Sequence, residues 1–114
     1  MEKTIAIASL AALAQETRLD IFRLLVQAGP DGLPAGRIAE RLGLPSATLS
    51  FHLTQLKQTG LAACRRDGRS LIYAARFAAM TDLLAYLTEN CCQGDAAACR
   101  VPACDGKPST EHAA

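Results

Sequence analysis

Four of the five cysteines in this 114-residue chain fall between positions 91 and 104, as the adjacent pair Cys91–Cys92 followed by Cys99 and Cys104. Three chemistries suit such a cluster: a disulfide staple or redox switch, a zinc site of thiolates, or a trap for another soft ion. Structural zinc sites usually space their cysteines as C-x₂₋₄-C knuckles, and an adjacent pair suits a tetrahedron poorly. A disulfide is disfavoured in the reducing cytoplasm, where clustered thiols tend to be metal-binding or catalytic. A catalytic thiol needs activation at a helix N-terminus or beside a cation. These thiols instead follow a predicted helix C-terminus, whose dipole raises a thiolate pKa. The chain is therefore read as a non-enzyme. The fifth cysteine, Cys64, lies in a strand-like run and reads as a small buried hydrophobe.

A second set of residues suits a different chemistry. Between Ser46 and Arg76 stand Lys57, Arg65, Arg66, Arg69 and Arg76 against a single acid, Asp67. Residues 1–76 carry ten Lys/Arg and six Asp/Glu, whereas 77–114 carry two and five. Such a basic patch is the footprint of a phosphate-binding surface. The plainer alternative is a solvated charged face.

The elements that must position these residues are mostly helical. The composition is 50% hydrophobic without tryptophan, enough for one small domain whose core is Leu, Ile, Val and Ala. Helices are predicted over 3–14 and over 16–28, the second with Leu19, Phe22, Leu25 and Val26 on its apolar face. Gly29-Pro30-Asp31-Gly32 stops the second. Pro34 starts a short helix through Leu42, and Pro45–Ser46 opens another through Thr59, with Gly43 and Gly60 as their stops. Strand-like runs Leu61–Arg65 and Arg69–Ala74 flank Asp67-Gly68, a hairpin signal wanting positive φ at both central residues. A last helix is predicted over 77–90, with Met80, Leu83, Leu84 and Leu87 inward. This order, α-α-α-α-β-β-α, is a winged helix-turn-helix, mainly helical with a β-hairpin wing. Residues 1–94 are assigned to that DNA-binding and dimerisation domain, and 95–114 to a cysteine-containing, partly disordered tail. The run Thr4–Ala14 is apolar, but it flows into the next helix, reads as a helix rather than a leader, and is too short to span a membrane. A cytoplasmic protein without membrane contact is expected.

On the fourth helix, at about 100° per residue, Leu49, Leu53 and Leu56 share the core face. Ala47, Ser50, Phe51, Thr54 and Gln58 face outward. Small hydroxylated side chains can hydrogen-bond bases or phosphates, and an apolar one can pack on a thymine methyl. Ser46 can offer a phosphate its hydroxyl together with free backbone N–H groups. His52, at the edge of the core face, is expected to make a structural hydrogen bond, with a phosphate contact as the alternative; Lys57 lies one turn on. Arg65, Arg66 and Arg69 crowd the hairpin turn, where a β-turn needs no arginine but a wing beside DNA does. A single reading helix spans few base pairs, so a homodimer on a palindrome is expected. Ile7, Leu10, Ala11 and Ala14, with the last helix, supply the apolar seam.

Glu16-Thr17-Arg18-Leu19 with Ile21-Phe22-Arg23-Leu24-Leu25 resembles the second-helix signature of ArsR/SmtB-family repressors. Leu49-Ser50-Phe51-His52-Leu53-Thr54-Gln55-Leu56 followed by Gly60-Leu61 resembles their recognition helix, and Arg66-Asp67-Gly68-Arg69 with Ile72-Tyr73 their wing. The resemblance covers roughly residues 8–90. It implies a dimeric repressor that leaves operator DNA when a metal or metalloid ion binds. The third helix has no cysteine and the last helix has no histidine, so the ion sites placed there in other members lack their ligands here. Tyr86-Leu87-Thr88-Glu89-Asn90-Cys91-Cys92 followed by Cys99 is similar to the arsenic-sensing variant whose thiols follow the last helix. As(III) or Sb(III) is then the expected regulatory ligand, held by Cys91, Cys92 and Cys99, with Cys104 as a spare or substitute fourth thiol and no organic cofactor. A zinc- or cadmium-responsive repressor and a thiol redox sensor are the alternatives.

Overall fold

The computed structural model describes residues 1–98. The element order is α1 (Lys3–Leu13), α2 (Glu16–Ala28), β1 (Leu33–Pro34), α3 (Ala35–Leu42), α4 (Ser46–Gln58), β2 (Ala62–Asp67), β3 (Ser70–Ala75) and α5 (Phe77–Leu87). Two 3₁₀ turns, Cys91–Gly94 and Ala96–Ala98, follow α5. This is the winged helix-turn-helix that the sequence predicts, with one added strand. β1 pairs with β3 through Leu33↔Tyr73 and Pro34↔Ile72, giving an antiparallel sheet in the order β1-β3-β2. A two-residue strand has no room for an alternating pattern, so periodicity does not reveal it. Gly32 leads into it at φ +72°, and a Cβ there would run into the Tyr73 carbonyl. That position therefore demands glycine.

The core is aliphatic. Ile21 and Leu25 of α2, Ile38 of α3, Leu49, Leu53 and Leu56 of α4, and Leu61 ahead of β2 are all but excluded from solvent. The α4 leucines thus face inward as their spacing predicts. Two expectations fail. On α2, Leu19 is 42% exposed, and Ile21 takes an inward place instead. On α5 only Leu83 is buried, while Leu84 and Leu87 are 52% and 55% exposed. The helix has too few neighbours within one protomer to cover more than a narrow stripe.

α1 inverts the usual amphipathic arrangement. It buries small residues, Ala6, Ser9 and Ala12, at three-residue steps. Its large residues Ile5, Ile7 and Leu10 stand 48%, 59% and 43% exposed. Small inward residues let the helix lie close on the domain, and the large outward ones leave an uncovered apolar face. Among the described residues no helix is long and apolar enough to cross a membrane.

The hairpin runs in register from Ala62↔Ala75 to Asp67↔Ser70. Its two-residue loop is therefore Gly68-Arg69, one position beyond the expected Asp67-Gly68. Gly68 has φ +63° and Arg69 has none of the positive φ expected for a second central residue. Glycine first with a single positive φ is the II′ arrangement, and it places Arg69 at the tip of the wing. Cys64 is half-buried and lies directly across the strand pair from Tyr73. It is therefore less enclosed than the buried hydrophobe expected.

α5 ends at Leu87, short of the expected Asn90. The Thr88 hydroxyl donates to the Leu84 carbonyl at 2.8 Å, and such local side-chain bonds compete with helix continuation. Asn90 then turns the chain at φ +57°.

Candidate nucleic-acid interface and thiol pair

The first helical hydrogen bond of α4 runs from Leu49 N–H to the Pro45 carbonyl at 3.0 Å. The N–H groups of Ser46, Ala47 and Thr48 precede it and have no acceptor within the helix. A helix start of this kind, at the positive end of the dipole, suits a phosphate. Ser46, Ala47, Ser50, Phe51, Thr54 and Lys57 are all exposed. Phe51 stands out, an aromatic ring 56% in solvent on a face without acidic residues. A groove lined by Ser46, Ser50, Leu71 and Tyr73 joins the foot of α4 to the wing.

Arg65, Arg66 and Arg69 are exposed, but the pleat separates them. Arg66 lies opposite Leu71 and Arg65 opposite Ile72. Facing partners share a side of the sheet, so Arg66 lies on the side of Leu71 and the α4 groove, while Arg65 lies on the other. The structure brings Arg66 toward α4, Arg69 to the wing tip, and leaves Arg65 on the far side.

His52 is not part of this surface. It is only 8% exposed, and its Nδ1 accepts a hydrogen bond from Arg18 Nε at 3.2 Å. Burial, and then the Arg18 charge, holds its pKa below the ordinary histidine value. The imidazole is thus neutral with its proton on Nε2. The Phe51 ring meets its edge at 5.4 Å between centroids and 63° between planes. This edge-to-face contact fixes the direction in which Phe51 projects. A Phe51→Ala chain should bind random duplex as before but lose about tenfold of its preference for the operator, the discrimination of one good base contact. Competition anisotropy with matched and scrambled duplexes checks this; an unchanged ratio would place the reading face elsewhere.

The thiol pair lies beyond α5. Cys91 and Cys92 place their sulfurs 3.3 Å apart, one thiol donating to the other. The backbone is contorted to achieve this: Asn90, Cys92 and Gln93 have φ of +57°, +55° and +58°, and Gly94 follows at +81°. Each non-glycine residue held there costs of order 1–2 kcal/mol. The return is secured by Asp95, whose N–H donates to the Cys92 carbonyl at 3.0 Å and whose Oδ1 accepts from Ala97 N–H at 3.0 Å. The Ala98 carbonyl then accepts from the Cys92 thiol at 3.5 Å. The residue before Cys99 has therefore come back onto the pair. Cys99 and Cys104 lie outside the described residues. Among the described residues no three Cys, His, Asp or Glu side chains assemble as a metal site.

Two features have no mark in the sequence. The Arg18–His52 bond joins positions 34 apart, a separation without a local pattern. The left-handed residues are hidden because Asn90 alone is of a type that favours that conformation.

Residues 13–65 match a family model described as a helix-turn-helix domain. The chain is 35% identical over 65 residues to YceK of Bacillus subtilis, an uncharacterised HTH-type transcriptional regulator, spanning 57% of this chain and 64% of YceK. It is 30% identical to the transcriptional activator HlyU of Vibrio cholerae over 79% of this chain and 81% of HlyU. Among solved structures, an ArsR-like transcriptional regulator from Rhodococcus sp. RHA1 superposes with a TM-score of 0.69 at 27% identity, covering 81% of this chain and 84% of that one. The homodimeric winged helix-turn-helix domain of Mb0332 from Mycobacterium bovis, a possible ArsR-family regulator, superposes with a TM-score of 0.61 at 26% identity, covering 82% and 86%.

Proposed function

Because the chain belongs to the ArsR-like winged helix-turn-helix transcriptional regulators, we propose that it is a cytoplasmic, dimeric repressor that leaves operator DNA when Cys91, Cys92 and Cys99 capture As(III) or Sb(III). The observation that carries this reading is the 3.3 Å separation of the Cys91 and Cys92 sulfurs. An ion bonded to both at ~2.3 Å, a typical zinc–thiolate length, would see them ~92° apart, well short of the ~109° of a tetrahedron. A soft ion whose lone pair leaves a narrow three-coordinate pyramid fits that bite; zinc and cadmium fit it less well. The turn that returns Ala98 to the Cys92 sulfur supports Cys99 as the third ligand.

The exposed apolar faces of α1 and α5 support the dimer, as does the homodimeric Mb0332 domain. Cys91 N–H donates to the Thr88 carbonyl at 2.9 Å, so the thiol turn is tied directly to the end of α5. Closure of three thiolates draws on that helix end and shifts the two reading helices relative to each other. By linkage, operator binding weakens ion capture by the same factor, and a coupling of ~3 kcal/mol suffices for a switch.

The test is operator binding by fluorescence anisotropy, with the duplex selected from a random pool by the ion-free protein. As(III), Sb(III), Zn(II), Cd(II) and peroxide are added in turn. Release by As(III), alone or with Sb(III), is expected. Release by zinc only would make the chain a zinc sensor, and release by peroxide only a redox sensor.

A further inference from the structure

One side chain joins three helices. The Arg18 backbone N–H donates to the Gln15 side chain at 2.8 Å, capping the first turn of α2. Its Nη1 donates to the Ala12 carbonyl at 3.4 Å, among the last carbonyls of α1. Its Nε donates to His52 Nδ1 at 3.2 Å on α4. A cation at a helix C-terminus is favourable in its own right. Here it also ties the helix with the uncovered apolar face to the helix with the reading face.

We propose that Arg18 and His52 are a positioning pair, which fixes α4 against the end of α1 for operator binding and works only while His52 Nδ1 is unprotonated. This rests on α4 being the DNA-reading helix. The acceptor is the weak point of the link. Protonated imidazole has two N–H donors and no acceptor, so its Nδ1–H would meet the Arg18 donor head-on, cation to cation. Arg18 of α2 is the charged group set against the ring; α1 reaches the pair through a backbone carbonyl, and the α4 residues one turn either side, Thr48, Leu49, Gln55 and Leu56, do not titrate. Phe51 meets the ring edge at 5.4 Å, so a shift of His52 is passed directly to an exposed reading side chain.

The sign of the pH effect follows. With its pKa below the ordinary 6.5, His52 is neutral at neutral pH and gains its proton only on acidification. Operator affinity should therefore be level above about pH 7 and fall as the pH drops below the ordinary histidine value. The expected loss is about tenfold, the worth of one hydrogen bond from a charged donor.

The experiment measures operator anisotropy from pH 5.5 to 8 at constant ionic strength, in a His112→Ala background so that His52 is the only histidine. His52→Asn puts an amide oxygen where Nδ1 stands and removes the titration. It should bind like the parent at pH 7.5 and keep that affinity at pH 5.5. Arg18→Met removes the donors but keeps the stem. It should show at pH 7.5 the weakened affinity that the parent shows at pH 5.5, with no further fall. Thermal melts at each pH confirm the fold. A parent profile without the acid fall, or a His52→Asn profile that still falls, overturns the pairing. A parent that enriches no sequence from the random pool overturns instead the DNA reading on which it rests.

Discussion

A Cys92→Ser protein is expected to hold its operator at arsenite concentrations that fully release the parent chain, with ion-free affinity unchanged. Serine is close to cysteine in size but offers a hard oxygen in place of a soft sulfur. The substitution removes one of the three proposed ligands and one half of the 3.3 Å thiol pair. Loss of partners that merely orient a ligand costs 10–100-fold in metal affinity, so loss of a ligand itself should raise the half-release concentration by more than ~100-fold. The fold has little stake in this sulfur. Cys92 is exposed and its contacts are thiol bonds to Cys91 and the Ala98 carbonyl. The candidate DNA interface on α4 and the wing lies on other elements. Cys64→Ser is the matched control, since Cys64 lies in β2 opposite Tyr73, away from the thiol turn. Arsenite titrations of pre-formed operator complexes distinguish the outcomes. Unchanged release would remove Cys92 from the site, and collapse of ion-free binding would make the thiol structural.

The contorted turn gives the pair its meaning. Three left-handed non-glycine residues, Asn90, Cys92 and Gln93, together cost several kcal/mol by the usual scale. The turn is largely exposed among the described residues, so little burial offsets this. Strain of this kind gathers at ligand clamps, and here its effect is to set two adjacent sulfurs side by side. In extended chain, neighbouring side chains point to opposite faces. The structure ends α5 early and reverses the chain, which brings them together.

What the sequence made legible follows from periodicity. Leu49, Leu53 and Leu56 repeat at helical steps over a whole helix, so both the core face of α4 and the exposed face opposite it could be assigned. Glycines and prolines marked the other boundaries. The misassignments lie where a single chain does not decide the outcome. Leu84 and Leu87 follow the same periodicity as Leu83, yet they point outward. Hydrophobic spacing identifies an apolar face but not whether the same chain or another covers it. β1 is defined by its partner in β3 rather than by its own two residues. His52 was placed at the rim of the core, but its hydrogen bond depends on Arg18 arriving from another helix. The hairpin slipped by one residue because a loop with Gly68 in its first place needs only that one positive φ, whereas Asp67-Gly68 would need two.

Charges placed on the uncovered apolar face should be the most damaging change outside the core. Ile7 and Leu84 are 59% and 52% exposed in the protomer, so Glu at both positions stays solvated in a monomer and leaves its core intact. In a dimer seam the same carboxylates would be buried without partners, at a cost of several kcal/mol each. The Ile7→Glu/Leu84→Glu chain should therefore sediment at half the parent mass while melting as a folded domain. Operator affinity should fall by ~10³ or more, because a lone reading head loses the second half-site and keeps little beyond non-specific attraction. The salt dependence separates this from a local defect. If Lys57, Arg66 and Arg69 each neutralise one phosphate, a dimer gives a log–log slope of about −5.4 and a monomer about −2.7. A slope that halves together with the mass ties both reading heads to one seam. An unchanged mass would place the dimer contact on another face, and a halved mass with full affinity would mean that one head suffices.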